Sequence, residues 1–152
     1  MSRDISAYLK TKVSHYRTQE VITQLLEKRG ITETRFTQSP DQIMLEFNYP
    51  HKVENKECKL GVRFTVKLPE SNGEKERQQI RNQYFRALFY VLKSKLEAVE
   101  FGIRDFGQEF LGDLVYQLPN GKTATISELI GPQVEKSISD GTSEVIMLPQ
   151  HT

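Results

Sequence analysis

RALFYVLKSKLEAVEFGIRDFGQEFL, residues Arg86–Leu111, reads as helix, stop, helix, and its reading decides the C-terminal half of the fold. Apolar side chains recur every three or four residues up to Phe101, the spacing of one buried helical face. Gly102 follows, the residue that best tolerates the left-handed conformation closing a helix. Asp105 then offers an N-cap, and Gln108 three residues later completes a capping box. Worked outward, the first helix extends back to about residue 75, giving a long helix over 75–101. Ile80, Tyr84, Leu88, Leu92, Leu96 and Val99 form its predicted stripe, widened by Phe85, Phe89 and Val91, with Arg86, Lys93, Glu97 and Glu100 opposite. The second helix is expected over 106–117, with Phe106, Phe110, Leu111, Leu114 and Val115 inward.

Upstream, the pattern changes period. KLGVRFTVKL (59–68) alternates cleanly: Leu60, Val62, Phe64, Val66 and Leu68 share one face, and Lys59, Gly61, Arg63, Thr65 and Lys67 the other. That is a half-buried strand. QIMLEFNY (42–49) alternates likewise, and ITETRFTQ (31–38) is short and β-branched, so three strands are predicted. Ser39-Pro40-Asp41 is turn chemistry, and the polar stretch PHKVENKEC is expected to be a hairpin loop. One apolar and one polar face imply an antiparallel sheet. Before it, Ile5, Tyr8, Leu9, Val13, Tyr16, Val21, Ile22, Leu25 and Leu26 predict a helix over 4–29, closed at Gly30.

Downstream, Leu118-Pro119-Asn120-Gly121 marks a turn. Thr125 and Glu128 make a second capping box, opening a short helix over 126–139 that Pro132 is expected to bend or split. Residues 140–152 read as a tail, with Val145, Ile146, Met147 and Leu148 docking on the body. The expected fold class is α+β in a single domain spanning 1–152: an N-terminal helix, a three-stranded antiparallel sheet and a C-terminal helical layer with a long helix and a helix hairpin.

Composition bounds the function classes. A chain of 152 residues, 37% hydrophobic and 27% charged, is ordinary for a globular domain. Cys58 is the single cysteine, so no internal disulfide forms. No apolar run reaches the roughly 18 residues of a membrane span, and the start carries no signal-peptide pattern. The expectation is a protein of the cytoplasm with no membrane partner. Charge is split along the chain: residues 1–96 carry 18 Lys/Arg against 11 Asp/Glu, and residues 97–152 carry 3 against 9.

Catalytic and cofactor patterns are absent. His15, His51 and His151 pair with no acid or cysteine at ligand spacing, so no metal is expected. No phosphate-binding glycine loop and no nucleophile elbow occur, and no cofactor is expected. Glu97, Glu100, Asp105, Glu109 and Asp113 surround the helix hairpin, but ion pairing and capping account for them. The chain therefore reads as a non-enzyme more readily than as an enzyme.

Two binding surfaces are expected instead. Arg35, Lys59, Arg63 and Lys67 fall on the polar face of the sheet, and Lys75, Arg77 and Arg81 at the start of the long helix. Basic groups so spaced track nucleic-acid phosphates. The helix-strand-strand-strand-helix order over 4–101 is similar to that of double-stranded-RNA-binding domains, without their lysine cluster at the second helix. The alternative is a protein–protein surface, for a homodimer or a host factor, built from Tyr84, Phe85, Phe89, Tyr90, Phe101, Phe106 and Phe110.

The C-terminal half also carries a likeness. FRALFYVLKSKLEAVEFGIRDFGQEFL, then LPNGKT, PQVE and MLP, resembles a family of short uncharacterised proteins of phages, prophages and other bacterial mobile elements. That family's pattern runs KAKLEAVE-x-GI, EFL, LP(D/N)G(R/K)T and PQ(I/V)E. The likeness covers about residues 85–149, departing at Ser94, where alanine is usual, and at Gln117, which lengthens the step before LPNG. It implies a mobile-element context in a bacterial host cell, and no activity, cofactor or catalytic residue.

Overall fold

The computed structural model describes residues 11–141 and Pro149. In chain order it contains α1 (His15–Glu27), β1 (Thr34–Ser39), β2 (Gln42–Val53), β3 (Lys56–Lys67), α2 (Glu74–Glu100), α3 (Phe106–Phe110), a 3₁₀ turn (Leu111–Asp113), β4 (Val115–Gln117), β5 (Thr123–Thr125) and α4 (Ile126–Ser139). The fold is α+β: an N-terminal helix, a three-stranded antiparallel sheet, then helices that include a long one.

The sheet has the order β1-β2-β3. Alternation along β2 sends Ile43, Leu45 and Phe47 to the core, and in β3 Val62 joins them. Over that face lie Ile22 and Leu26 of α1, Phe85, Leu88, Phe89, Leu92 and Leu96 of α2, and Phe106 and Phe110 of α3. Each such side chain removed from water stabilises the fold by roughly 1.5–3 kcal/mol. Phe110 is the keystone of one end: its ring meets Phe47 at 6.4 Å and Phe64 at 6.3 Å, both edge-on, and stacks on Phe106 at 4.9 Å.

Several boundaries differ from the sequence expectation. Residues 11–14 are not helical, and α1 begins where the Ser14 hydroxyl accepts from Arg17 N. The predicted residues 4–10 of that helix lie outside the described residues, as do Val145, Ile146, Met147 and Leu148 of the tail. Tyr16, expected inward, is exposed, whereas His15 is buried against Phe85. The first strand begins at Thr34, because Ile31 caps the core in the turn after α1.

The PHKVENKEC stretch is strand for most of its length. Glu54 and Asn55 both take positive φ (51° and 66°), so a two-residue turn joins β2 to β3. Such a turn matches the strand twist and lets pairing run to Val53↔Lys56.

The expected helix 106–117 stops at Phe110. The chain tightens into the 3₁₀ turn, and Val115, Tyr116 and Gln117 pair with Thr125, Ala124 and Thr123. Gly121 (φ 84°) and the bond from Leu118 N to Lys122 O close that hairpin. Both capping boxes form, at Asp105/Gln108 and Thr125/Glu128. Pro132 sits inside α4, which continues past it as one helix.

Candidate functional site

The polar face of the sheet is built around one carboxylate. Cross-strand register lines up Arg35, Glu46 and Arg63 on β1, β2 and β3. Arg35 donates to Glu46 Oε1 from Nε (3.0 Å) and Nη2 (2.7 Å), and Arg63 Nε donates to Oε2 at 3.0 Å. Arg63 Nη2 also donates to Thr123 Oγ1 on β5 at 2.8 Å. Burial raises the Glu46 pKa, but the two guanidinium groups outweigh it and hold the carboxyl below its usual range. Arg63 is only 14% exposed, whereas Arg35, although paired with Glu46, is 73% exposed to solvent.

The β4–β5 hairpin overhangs this row. Gly61 faces the hairpin: a Cβ there would lie in ordinary van der Waals contact with Val115 Cβ, at 3.5 Å. Between hairpin and sheet lies a cleft of about 450 Å³, lined by Arg35, Glu46, Asn48, Arg63, Val115 and Thr123 among others. Its charges are balanced internally, and Lys59 at its margin is paired with Glu33. That hydrogen bond, aided by Asn48, lowers the Glu33 pKa.

The second basic group is divided. Arg77 pairs with Glu74 at 2.8 Å in the first turn of α2. Arg81 turns back to the sheet, donating to Gln38 Oε1 (3.0 Å) and the Ser39 carbonyl (2.6 Å). Lys67 and Lys75 are exposed and make no ion pair among the described residues. The seven basic residues thus form no single field; five are occupied by acids or by the backbone and side chains of the sheet.

The carboxylates of the helix hairpin form no single cluster: Glu109 and Asp113 share Lys95, and Glu97 and Glu100 are paired elsewhere. Glu97 pairs with Lys93, and Glu100 with Arg29. Lys95 of α2 reaches the Glu109 carbonyl (2.8 Å), the Glu109 carboxylate (3.3 Å) and Asp113 (3.5 Å), tying α3 and the 3₁₀ turn to the long helix. Burial raises the Asp113 pKa, and Lys95 only partly offsets it. No group of three metal-ligating side chains occurs among the described residues. Register sets His51 directly opposite the exposed Cys58, a neighbour that sequence spacing hid.

Of the predicted aromatic surface, Phe85, Phe89, Phe106 and Phe110 are buried in the core, and Tyr84 packs against it. Tyr90 and Phe101 are exposed, Phe101 to 78%. Other apolar residues are exposed as well. Ile103, Leu111 and Tyr116 stand out from turns and hairpin, and α4 has no buried residue along its length. Leu129, Ile130 and Ile138 of that helix are exposed, with Ile130 and Val134 four residues apart on one side. The sequence signal was present, since apolar residues recur in ISELIGPQVEKSIS at helical spacing, but periodicity alone assigns such a stripe to the core. No described helix is long and apolar enough to cross a membrane. No protein-family model, no curated protein and no solved structure matches this chain.

Proposed function

We propose that this chain is a non-enzymatic accessory protein that binds another protein through the uncovered apolar side of α4 and the neighbouring exposed residues. One observation carries the reading: a 14-residue amphipathic helix has no fully buried residue, with Val134 half-buried and Ile130 and Ile138 50% and 61% exposed. Single exposed apolar residues are common, but an apolar stripe along a helix marks a surface that gains from being covered. A helix of this kind binds by laying its stripe into an apolar groove. The likeness of residues 85–149 to mobile-element proteins supplies the context, a factor of the bacterial host cytoplasm or another protein of the element.

The test is affinity capture with the full chain, with Ile130→Asp/Ile138→Asp beside the wild type. A partner retained by the wild type and by Lys67→Glu/Lys75→Glu, but lost with the α4 variant, supports the reading. Equal retention by both variants would overturn it.

A second reading, contact with nucleic-acid phosphates, draws support from Lys67 and Lys75, both exposed and without an ion pair among the described residues. Titration against DNA and RNA at about 50 and 200 mM salt tests it, because phosphate contacts weaken steeply over that range. Salt-sensitive binding lost in Lys67→Glu/Lys75→Glu supports phosphate contact. Absence of binding at the lower salt excludes it.

A further inference from the structure

The two edges of the three-stranded sheet are treated differently. On the β3 side, Leu114 bridges to Val62 and the β4–β5 hairpin follows, so that edge is covered at its centre. Nothing comparable lies along β1, which among the described residues pairs with β2 alone. The direction of its free groups follows from one bond. Asn48 N donates to Glu33 O at 3.1 Å, so Glu33 and, by alternation, Arg35, Thr37 and Ser39 turn their backbone groups toward β2. Thr34, Phe36 and Gln38 therefore turn theirs outward, and no hydrogen bond within the described residues reaches those N–H and C=O groups. The strand TRFTQS also lacks proline or a bulge, two devices that keep such an edge from pairing, and its one charged residue, Arg35, is paired with Glu46.

We propose that this edge pairs with β1 of a second copy of the chain, antiparallel about a two-fold axis at Phe36, giving one six-stranded sheet across a dimer. The strand is self-complementary in that register. Phe36 faces the partner's Phe36, and Thr34 faces the partner's Gln38, so all three outward-turned residues of each strand lie in hydrogen-bonded pairs. Arg35 falls opposite the partner's Thr37, and its charge is already answered by Glu46. A shift of the axis to Arg35 would set two arginines directly opposite, which is unfavourable. A shift to Thr37 would leave Thr34 facing the partner's Pro40, which has no N–H to give. The half-buried Phe36, 6.1 Å from Phe85, gains an aromatic neighbour on the helix-covered side, joining the two cores. The interface is isologous and closes at two copies.

This association is independent of the α4 surface, and the experiment separates them. Sedimentation equilibrium of the full chain from micromolar to millimolar concentration is expected to show reversible dimers. Gln38→Pro removes an outward N–H and the exposed side-chain bond from Arg81 but no bond to β2, and is expected to weaken the dimer by roughly tenfold or more with an unchanged circular dichroism spectrum. Thr37→Arg, which places like charges opposite across the axis and leaves the backbone intact, is expected to weaken it too. Ile130→Asp/Ile138→Asp is expected to leave it intact. The amide protons of Phe36 and Gln38 should gain exchange protection as concentration rises. A chain that stays monomeric throughout, or dimers that survive both β1 variants, would overturn the proposal.

Discussion

Arg63 and Glu46 face each other across β3 and β2 as a nearly enclosed pair, 14% and 15% exposed, with a second contact at 2.9 Å from Nη2 to Oε2. Their enclosure comes from the hairpin that Thr123 belongs to, so the pair joins the sheet to the C-terminal part of the chain. It is a structural tie before it is a ligand site.

Removing one member of that tie leaves the other charge with fewer partners. Arg63→Ala is expected to lower stability by about 2 kcal/mol in urea unfolding. Glu46 is held below its usual pKa, so its contribution is full above the unfolded glutamate value and is lost as pH falls through the folded one. Glu46→Gln should flatten the acid limb of a stability-versus-pH curve; an unchanged limb would count against the tie.

His15 gives an opposite kind of site, a buried base that makes no ion pair among the described residues. Burial lowers its pKa, Arg81 adds to that, and a hydrogen bond with Gln78 opposes it. Its Nε2 has no partner among the described residues. The neutral ring is favoured in the fold, so stability is full above the unfolded histidine value near 6.5 and declines as pH falls below it toward the folded value. Unfolding midpoints measured between about pH 7.5 and 5 should fall for the wild type and stay flatter for His15→Phe.

Phe110 and Phe101 are aromatic residues of the same helix-stop-helix stretch with opposite environments. Phe110 is fully buried against three other rings, and Phe110→Ala should cost about 4 kcal/mol. Phe101→Ser, at a site 78% exposed, should change stability by less than about 0.5 kcal/mol. Thermal unfolding of the two variants side by side checks both values.

Gly112 sits where the 3₁₀ turn meets α4. A Cβ there would stand 2.4 Å from Ser127 Oγ but 3.7 Å from Ser127 Cβ. Gly112→Ala should therefore destabilise by about 1 kcal/mol, and Ser127→Ala should rescue it, a coupling a double-mutant cycle reads directly. Additive effects would mean the two do not meet.

Much of the fold is legible because it rests on local physics. The alternation of β2 and β3, the apolar stripe of α2, the glycine stop at Gly102 and the capping boxes at Asp105 and Thr125 are short-range patterns whose outcome the neighbours in sequence decide. Where two local answers compete, the tertiary setting chose. Val115–Gln117 continued a helical pattern, yet became β4 because Thr123–Thr125 was there to pair with it and the 3₁₀ turn had already ended the helix. PHKVENKEC looked like loop because polar residues fill both faces, but a two-residue turn allowed the ladder to run on.

The candidate surfaces were less legible. Side-chain type places Arg35, Arg63 and Arg81 on a basic face, but their charge is answered by Glu46 and by the β1–β2 turn, partners that only cross-strand register and helix docking bring near. Apolar type likewise marks Phe106 and Ile130 equally, and sequence cannot say which one the fold covers. By itself the sequence determined the α+β class, the three main strands and the long helix, and the absence of recognisable catalytic motifs. Tertiary structure alone decided which charges are neutralised and, among the described residues, which apolar stripe and which sheet edge stay uncovered. Those properties depend on groups far apart in the chain, and no local preference encodes the meeting of distant residues.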